Sequence, residues 1–327
     1  MPMLSPGGGG GAALLGFGGY RPRTVVGNAE MCTRIDSTEE WIESRCGIRE
    51  RRFAAPDETL EWMAVAAAAK ACGQSGVDPA DLDCVLVASM SNLVQTPPLA
   101  AAVGAGIGAR RAGGFDVSAA CAGFCHALGL ASAMVRLGEA RHVLVVGAER
   151  MTDIVDPADR TIAFLFADGA GAAVVGPSAT PGIGPAVRGA DFGSREALRM
   201  TGPWAEPGAV PVMRMDGKRV FRWAVGSVLP ACREALEVAG VRAEDLGAFV
   251  PHQANLRMIE IMADGLGLPE RTAIARDVVT SGNTSAASVP LAVESLLASG
   301  AAESGSLALL AGFGAGLNHA AQVVVLP

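Results

Sequence analysis

The chain has 327 residues, half of them hydrophobic, and a net charge of −7 from 26 Lys and Arg against 33 Asp and Glu. That length can bury a large core in two domains or one large one, and the negative balance argues against a nucleic-acid binder, whose affinity comes from neutralising phosphates. No run of about 18 apolar residues free of charges and turn formers occurs, so no membrane span is expected. The seven cysteines, at 32, 46, 72, 84, 121, 125 and 232, are odd in number and lack disulfide spacing, which fits a reduced, cytoplasmic protein.

The N-terminus, MPMLSPGGGGGAALLGFGG, has no basic n-region and is broken by glycines. It reads as a loose tail running into a first strand, not as a signal peptide. Positive charge then gathers at Arg45, Arg49, Arg51 and Arg52. The stretch MAVAAAAKACGQS reads as a helix, and GVDPADLDCVLVASM after it as an acidic turn and an apolar strand. Next comes DVSAACAGFCHALGLA, with Cys121 and Cys125 one turn apart on a predicted helix and His126 directly after them. The strand HVLVVGA follows. Residues 181–219 show no clear periodicity and several Gly and Pro, and read as an irregular excursion that could wall a substrate. A second basic group stands at Lys218, Arg219 and Arg222.

From there the chain repeats itself. PACREALEVA and GVRAEDLGAFVPHQA copy the order helix, acidic turn, apolar strand at an offset of 164. SAASVPLAVESL matches SAACAGFCHAL at an offset of 167, and each leads to a strand, SLALLAGFG in the second copy. Two α/β halves are expected, residues 1–178 and 179–327, with sheets covered on both faces. By this match Ser288 stands where Cys121 stands in the first copy.

A thiol at a helix start meets the positive end of the dipole, so Cys121 is expected to ionise easily. Cys125, one turn further in, should point into packing. A metal site from Cys121, Cys125 and His126 lacks a fourth ligand, and CxxxC is not the redox CxxC arrangement. From this segment alone two buried core cysteines are the simplest reading. Other segments change the balance. His252, in FVPHQAN, ends an apolar strand, where ligands of α/β sheets bind. Asn283 sits in the polar loop SGNTSAAS, which a twofold between the halves brings towards Cys121. GFGAGLNH is a glycine-rich turn able to aim backbone N–H groups at an oxyanion.

The stretches DVSAACAGF, PHQANLR, GNTSAAS and FGAGL resemble the signatures of the β-ketoacyl-acyl carrier protein synthase III family, a branch of the thiolase superfamily. The likeness runs from IDSTEEWIESRCGIRERR to the last strand. Within the branch, CAGFCHAL and RHVLVVGAERMTD are most similar to priming synthases of type II aromatic polyketide assembly. The resemblance implies a thiolase-like fold in five layers, α-β-α-β-α, and a homodimer. It implies Cys121 as a nucleophile acylated by an acyl-CoA, and His252 and Asn283 as its partners in a decarboxylative condensation with malonyl-acyl carrier protein. Coenzyme A enters as substrate, with no cofactor and no metal. The oxyanion hole would be the N–H groups of Cys121 and Ala315. Trp41, Arg45 and Arg160 match positions that hold the adenine and phosphates of coenzyme A. Arg222, Asn255 and Arg257 match the pantetheine channel and its basic mouth, Arg222 and Arg257 also meeting the carrier protein.

Thr96 falls where acetyl-restricted relatives carry phenylalanine in the acyl pocket, which implies room for propionyl, butyryl or branched starters. Asn318 and His319 receive no role from the resemblance. A biosynthetic thiolase would need a second cysteine near the C-terminal glycine turn, and none follows Cys232. Elongating synthases use two histidines, and Asn283 stands at the second position. A chalcone-synthase-like enzyme using CoA substrates alone, a simple acyltransferase and a non-catalytic partner subunit are the alternatives. The last should lack the nucleophile, which is present.

Overall fold

The computed structural model describes residues 10–201 and 212–327. The expected loose tail, apart from its last residues, and the middle of the 181–219 excursion lie outside the described residues.

Two five-stranded sheets form the frame. Across the first run Gly11–Tyr20, Asp168–Ser178, Val143–Arg150, Cys84–Ala88 and Gly113–Asp116. Across the second run Val187–Ala190, Asn318–Val325, Leu307–Gly314, Ala248–Pro251 and Ala273–Ile274. In each sheet the last three strands are parallel and the first two antiparallel to their neighbours. Order, direction and chain sequence agree strand for strand, so the duplication read in the sequence is present in the topology.

The strands are apolar on both faces because both faces are covered. Val85 and Val87 face outward with Leu144 and Val146, onto the alanine-rich helix Leu60–Ser75 and the helix Leu99–Ile107. Cys84, Leu86, Val143 and Val145 face inward, onto the middle helices Gly123–Leu137 and Ser288–Ala298. Ala248, Val250, Ala308 and Leu310 of the second sheet meet the same helices from the other side. Phe249, Leu309 and Val323 face outward onto the helices Leu229–Ala239 and Leu256–Leu266. The stack is α-β-α-β-α. The stretch Ala120–Leu137 is long and apolar enough to cross a bilayer, but 56% of it is buried inside the chain. Its hydropathy belongs to a middle layer enclosed by two sheets.

Two expectations are corrected. Ala120 (φ 47°) and Ser285 (φ 49°) make the same left-handed step before the short turns Ala120–Ala122 and Ser285–Ala287, and the helices begin at Gly123 and Ser288. The counterpart of Cys121 is therefore Ala286, and Ser288 corresponds to Gly123. Alanine-rich helix starts match in several registers, and only the backbone fixes the right one. The excursion is also less irregular than its composition implies. Val187–Ala190 is the edge strand of the second sheet, and Leu198–Met200 pairs with Met213–Met215.

Candidate active site

Cys121 sits between a strand end and a helix start, on the short turn that follows Ala120. Left-handed backbone is uncommon for a residue with a side chain and marks a conformation held by its surroundings. Here the second sheet holds it. A Cβ on Gly314 would lie 2.8 Å from Cys121 Cβ and 2.9 Å from Cys121 N, so that strand end can pack on the Cys121 backbone only as glycine. The chain then turns through Gly316 (φ 76°), and the backbone N–H groups of Cys121 and Ala315 lie near enough to the Cys121 sulfur to favour its thiolate.

His252 follows the strand Ala248–Pro251. Its Nδ1 lies 2.7 Å from Ser288 Oγ, and its ring stacks edge-on against Phe313 at 5.1 Å. Ser288 Oγ accepts from the Gln253 N–H at 3.3 Å, leaving its own proton free for Nδ1. With Ser288 donating to Nδ1, the ring proton sits on Nε2. Asn283 is fixed against the first half: its N–H donates to Leu165 O and its carbonyl accepts from Ala167 N–H, both at 2.9 Å. Its Oδ1 accepts from the Ser285 N–H at 2.9 Å, so Nδ2 is the group it offers the cavity.

Cys121, His252 and Asn283 line one cavity of about 450 Å³. They are 3%, 2% and 5% exposed and mark its closed end. Leu165, Phe166, Leu198, Met215, Val220 and Phe313 give apolar walls, and the exposed Arg45, Lys218, Arg222 and Arg257 stand where it opens. The excursion thus supplies wall residues, as its composition implied.

The expected easy ionisation of Cys121 is not found. Burial pushes its thiol up to about 12, and the nearby Glu149 carboxylate adds to the rise. The Ser285 hydroxyl and the two N–H groups pull the other way without overcoming burial. Desolvation of a thiolate in an apolar pocket outweighs the helix start. Burial also lowers His252, to about 3. The resting pair is therefore a neutral thiol and a neutral imidazole.

The other expected positions divide. Arg45, Arg222, Asn255 and Arg257 line the cavity. The Asn255 side chain is already committed, however: Oδ1 caps the helix at the Arg257 N–H (2.9 Å) and Nδ2 donates to Arg45 O (3.2 Å). It ties two mouth arginines together. Trp41 and Arg160 are not among the lining residues. Trp41, 40% exposed, meets the lining residue Phe164 edge-on at 5.2 Å, and Arg160 pairs with the exposed Asp36 at 3.5 Å. Thr96 is exposed in the loop before Leu99 and is not among the residues that line its own chain's cavity. Arg51, grouped by sequence with the surface arginines, is fully buried and donates to the carbonyls of Val26 and Phe164. Cys125 packs in the core.

One residue escaped the sequence and one was misplaced by it. Glu149 is fully buried and collects donors from Met90, Ser91, Ser285 and Ala286. Burial raises its pKa against those hydrogen bonds. Its signal was a charged residue at the end of an otherwise apolar strand. Ser288 was noticed but assigned by the wrong register.

The family model described as 3-oxoacyl-(acyl-carrier-protein) synthase III matches residues 115–191, and that of its C-terminal part residues 236–326. A β-ketoacyl-(acyl-carrier-protein) synthase III from Streptomyces lividans is 58% identical over 96% of this chain and 94% of its own. The priming β-ketosynthase from the R1128 polyketide biosynthetic pathway is 56% identical, with a TM-score of 0.96 over 100% of this chain and 99% of its own. The 3-oxoacyl-(acyl-carrier-protein) synthase III of Aquifex aeolicus VF5 is 36% identical, with a TM-score of 0.90 over 96% and 100%.

Proposed function

The chain belongs to the β-ketoacyl-acyl carrier protein synthase III family, condensing acyltransferases that initiate polyketide or fatty acid synthesis, and on that premise we propose that it primes polyketide assembly through Cys121, His252 and Asn283. One observation carries the assignment of roles: a single cavity joins the Cys121 thiol, the His252 imidazole, the Asn283 carboxamide and a basic mouth.

An acyl-CoA enters with its phosphates against Arg45, Lys218, Arg222 and Arg257. The Cys121 sulfur attacks the thioester carbonyl, and the oxyanion lies between the N–H groups of Cys121 and Ala315. The bond to coenzyme A breaks, and the thiol's proton ends on the departing sulfur. That exchange suits a nucleophile that rests protonated. Malonyl-acyl carrier protein follows. Loss of CO₂ leaves an enolate whose oxygen meets His252 Nε2 and Asn283 Nδ2. Each preorganised donor of this kind is worth about 2.7–4 kcal/mol. The enolate carbon attacks the acyl-Cys121 carbonyl, the same two N–H groups hold the new oxyanion, and the Cys121 thiolate leaves and takes up one proton. The cationic mouth fits both coenzyme A and an acidic carrier protein.

The 56% identity to a polyketide priming synthase supports polyketide over fatty acid initiation. A cytoplasmic place is proposed from the reduced cysteines. A homodimer is proposed at the strand Gly113–Asp116. All four of its residues are exposed at a sheet edge, Phe115 is 44% exposed, and Leu93 and Val94 in the adjoining loop are 48% and 57% exposed. An open edge with exposed apolar side chains is what a second copy would cover. Such pairing would carry Thr96 towards the partner, where a small residue leaves room for starters longer than acetyl.

The test is mass spectrometry of wild type and Cys121→Ala after exposure to acetyl-, propionyl-, butyryl- and isobutyryl-CoA, followed by product analysis with malonyl-acyl carrier protein. Acyl adducts on wild type alone, and a β-ketoacyl product with CO₂ release, are expected. Reaction with acetyl-CoA alone would refute the longer-starter reading. Adducts without CO₂ would leave a simple acyltransferase.

A further inference from the structure

The two N–H groups that favour a Cys121 thiolate come from different halves of the fold, which meet where Gly314 packs on the Cys121 backbone. One belongs to the helix start at Cys121, the other to the Gly314–Leu317 turn of the second sheet. Something has to hold these elements in register. His126 lies on the helix Gly123–Leu137, five positions past the nucleophile, and its Nε2 meets Asn318 Oδ1 at 3.0 Å, across 192 positions of sequence. Asn318 Nδ2 in turn donates to Ala315 O at 2.5 Å. The directions are forced. An amide nitrogen that donates leaves its oxygen to accept, so His126 carries its proton on Nε2.

The turn needs such a brace. It passes through left-handed backbone at Gly316 (φ 76°) and at Leu317 (φ 43°), the second a strained conformation for a branched side chain. On its far side Leu317 O accepts from the Asp191 N–H at 2.9 Å. On the near side the Ala315 carbonyl is held by Asn318.

We propose that Asn318, braced by His126, is a positioning residue that locks the Ala315 N–H onto the nucleophile. The proposal rests on the reading of Ala315 as an oxyanion donor and goes beyond it by assigning the two residues that fix the donor's place. Because the pair acts at the Cys121 end of the cavity, it governs thioester exchange at Cys121 and not enolate formation between His252 and Asn283.

The experiment measures two steps separately. Single-turnover acylation by an acyl-CoA is followed by mass for wild type, Asn318→Ala, Asn318→Asp, His126→Ala and the His126→Ala/Asn318→Ala pair. CO₂ release from malonyl-acyl carrier protein is measured in a Cys121→Ala background, with and without Asn318→Ala. Acylation should fall about 10- to 100-fold in Asn318→Ala, approaching the loss of a whole oxyanion donor. It should fall at least as far in Asn318→Asp, whose carboxylate cannot donate to the Ala315 carbonyl. His126→Ala should lose less, and the pair no more than Asn318→Ala alone, since both act through one contact. CO₂ release should stay within twofold. Acylation at the wild-type rate in Asn318→Ala, or equal losses in both steps, would overturn the proposal. A wild-type protein that no acyl-CoA acylates would remove the functional reading itself and the proposal with it.

Discussion

At Cys121 a helix start and deep burial act in opposite directions, and burial wins. Alkylation of Cys121 by iodoacetamide should therefore keep accelerating up to and beyond pH 10, with no plateau near the ordinary thiol value; a plateau below pH 8 would show a stabilised thiolate. His252 is the second case. Its folded pKa, about 3, lies below the ordinary 6.5, so the folded chain holds the ring neutral while an unfolded chain protonates it. The associated stability is present above about pH 6.5 and is lost as the pH falls towards 3. Chemical denaturation of His252→Asn across that window should show a shallower pH dependence than wild type, by up to one proton. Ser288 holds the imidazole's other nitrogen. Ser288→Ala should slow CO₂ release about tenfold, the order of one lost hydrogen bond, while Ser288→Thr keeps the hydroxyl and most of the rate. Cys121, His252 and Asn283 were legible as residues because strand ends and helix starts are recognisable. Glu149, Ser288 and the state of the thiol were not, because they depend on what packs around them.

Among the elements, the helix Leu99–Ile107 shows how a local contact holds the start of a helix beside the loop that carries Thr96. Its start has proline as cap residue and no side-chain cap of its own. Asp116, at the end of the neighbouring strand, accepts from the N–H groups of Leu99 and Ala100 at 2.8 and 2.9 Å. Asp116→Ala should cost about 1 kcal/mol, read as a lower melting temperature, and should loosen the loop that carries Thr96. A starter preference unchanged in that variant would separate the loop from acyl selection. The sequence showed the repeated helix-turn-strand order at this scale because its two copies kept their acidic turns. It did not show the register of Ser288, since alanine-rich starts carry too little information to align.

For the whole molecule, the exposed edge at Gly113–Asp116 is the proposed seam between two copies. Light scattering is expected to give twice the chain mass for wild type and a monomer for Phe115→Asp, whose charge opposes burial at the edge. A dimeric Phe115→Asp would move the interface elsewhere. At the same scale, Trp41, Arg160 and Thr96 share sequence neighbourhoods with lining residues and are exposed outside the cavity lining, Trp41 in contact with the lining residue Phe164.

The order of the elements, the duplication and the three side chains that the cavity brings together were written in the sequence, since each follows from local periodicity or from a residue type its proposed chemistry requires. Tertiary structure alone decided which groups are desolvated, which way each hydrogen bond runs, and that His126 and Asn318 meet across the two halves. Those are properties of distance and dielectric, which arise only when segments far apart in the chain are packed together.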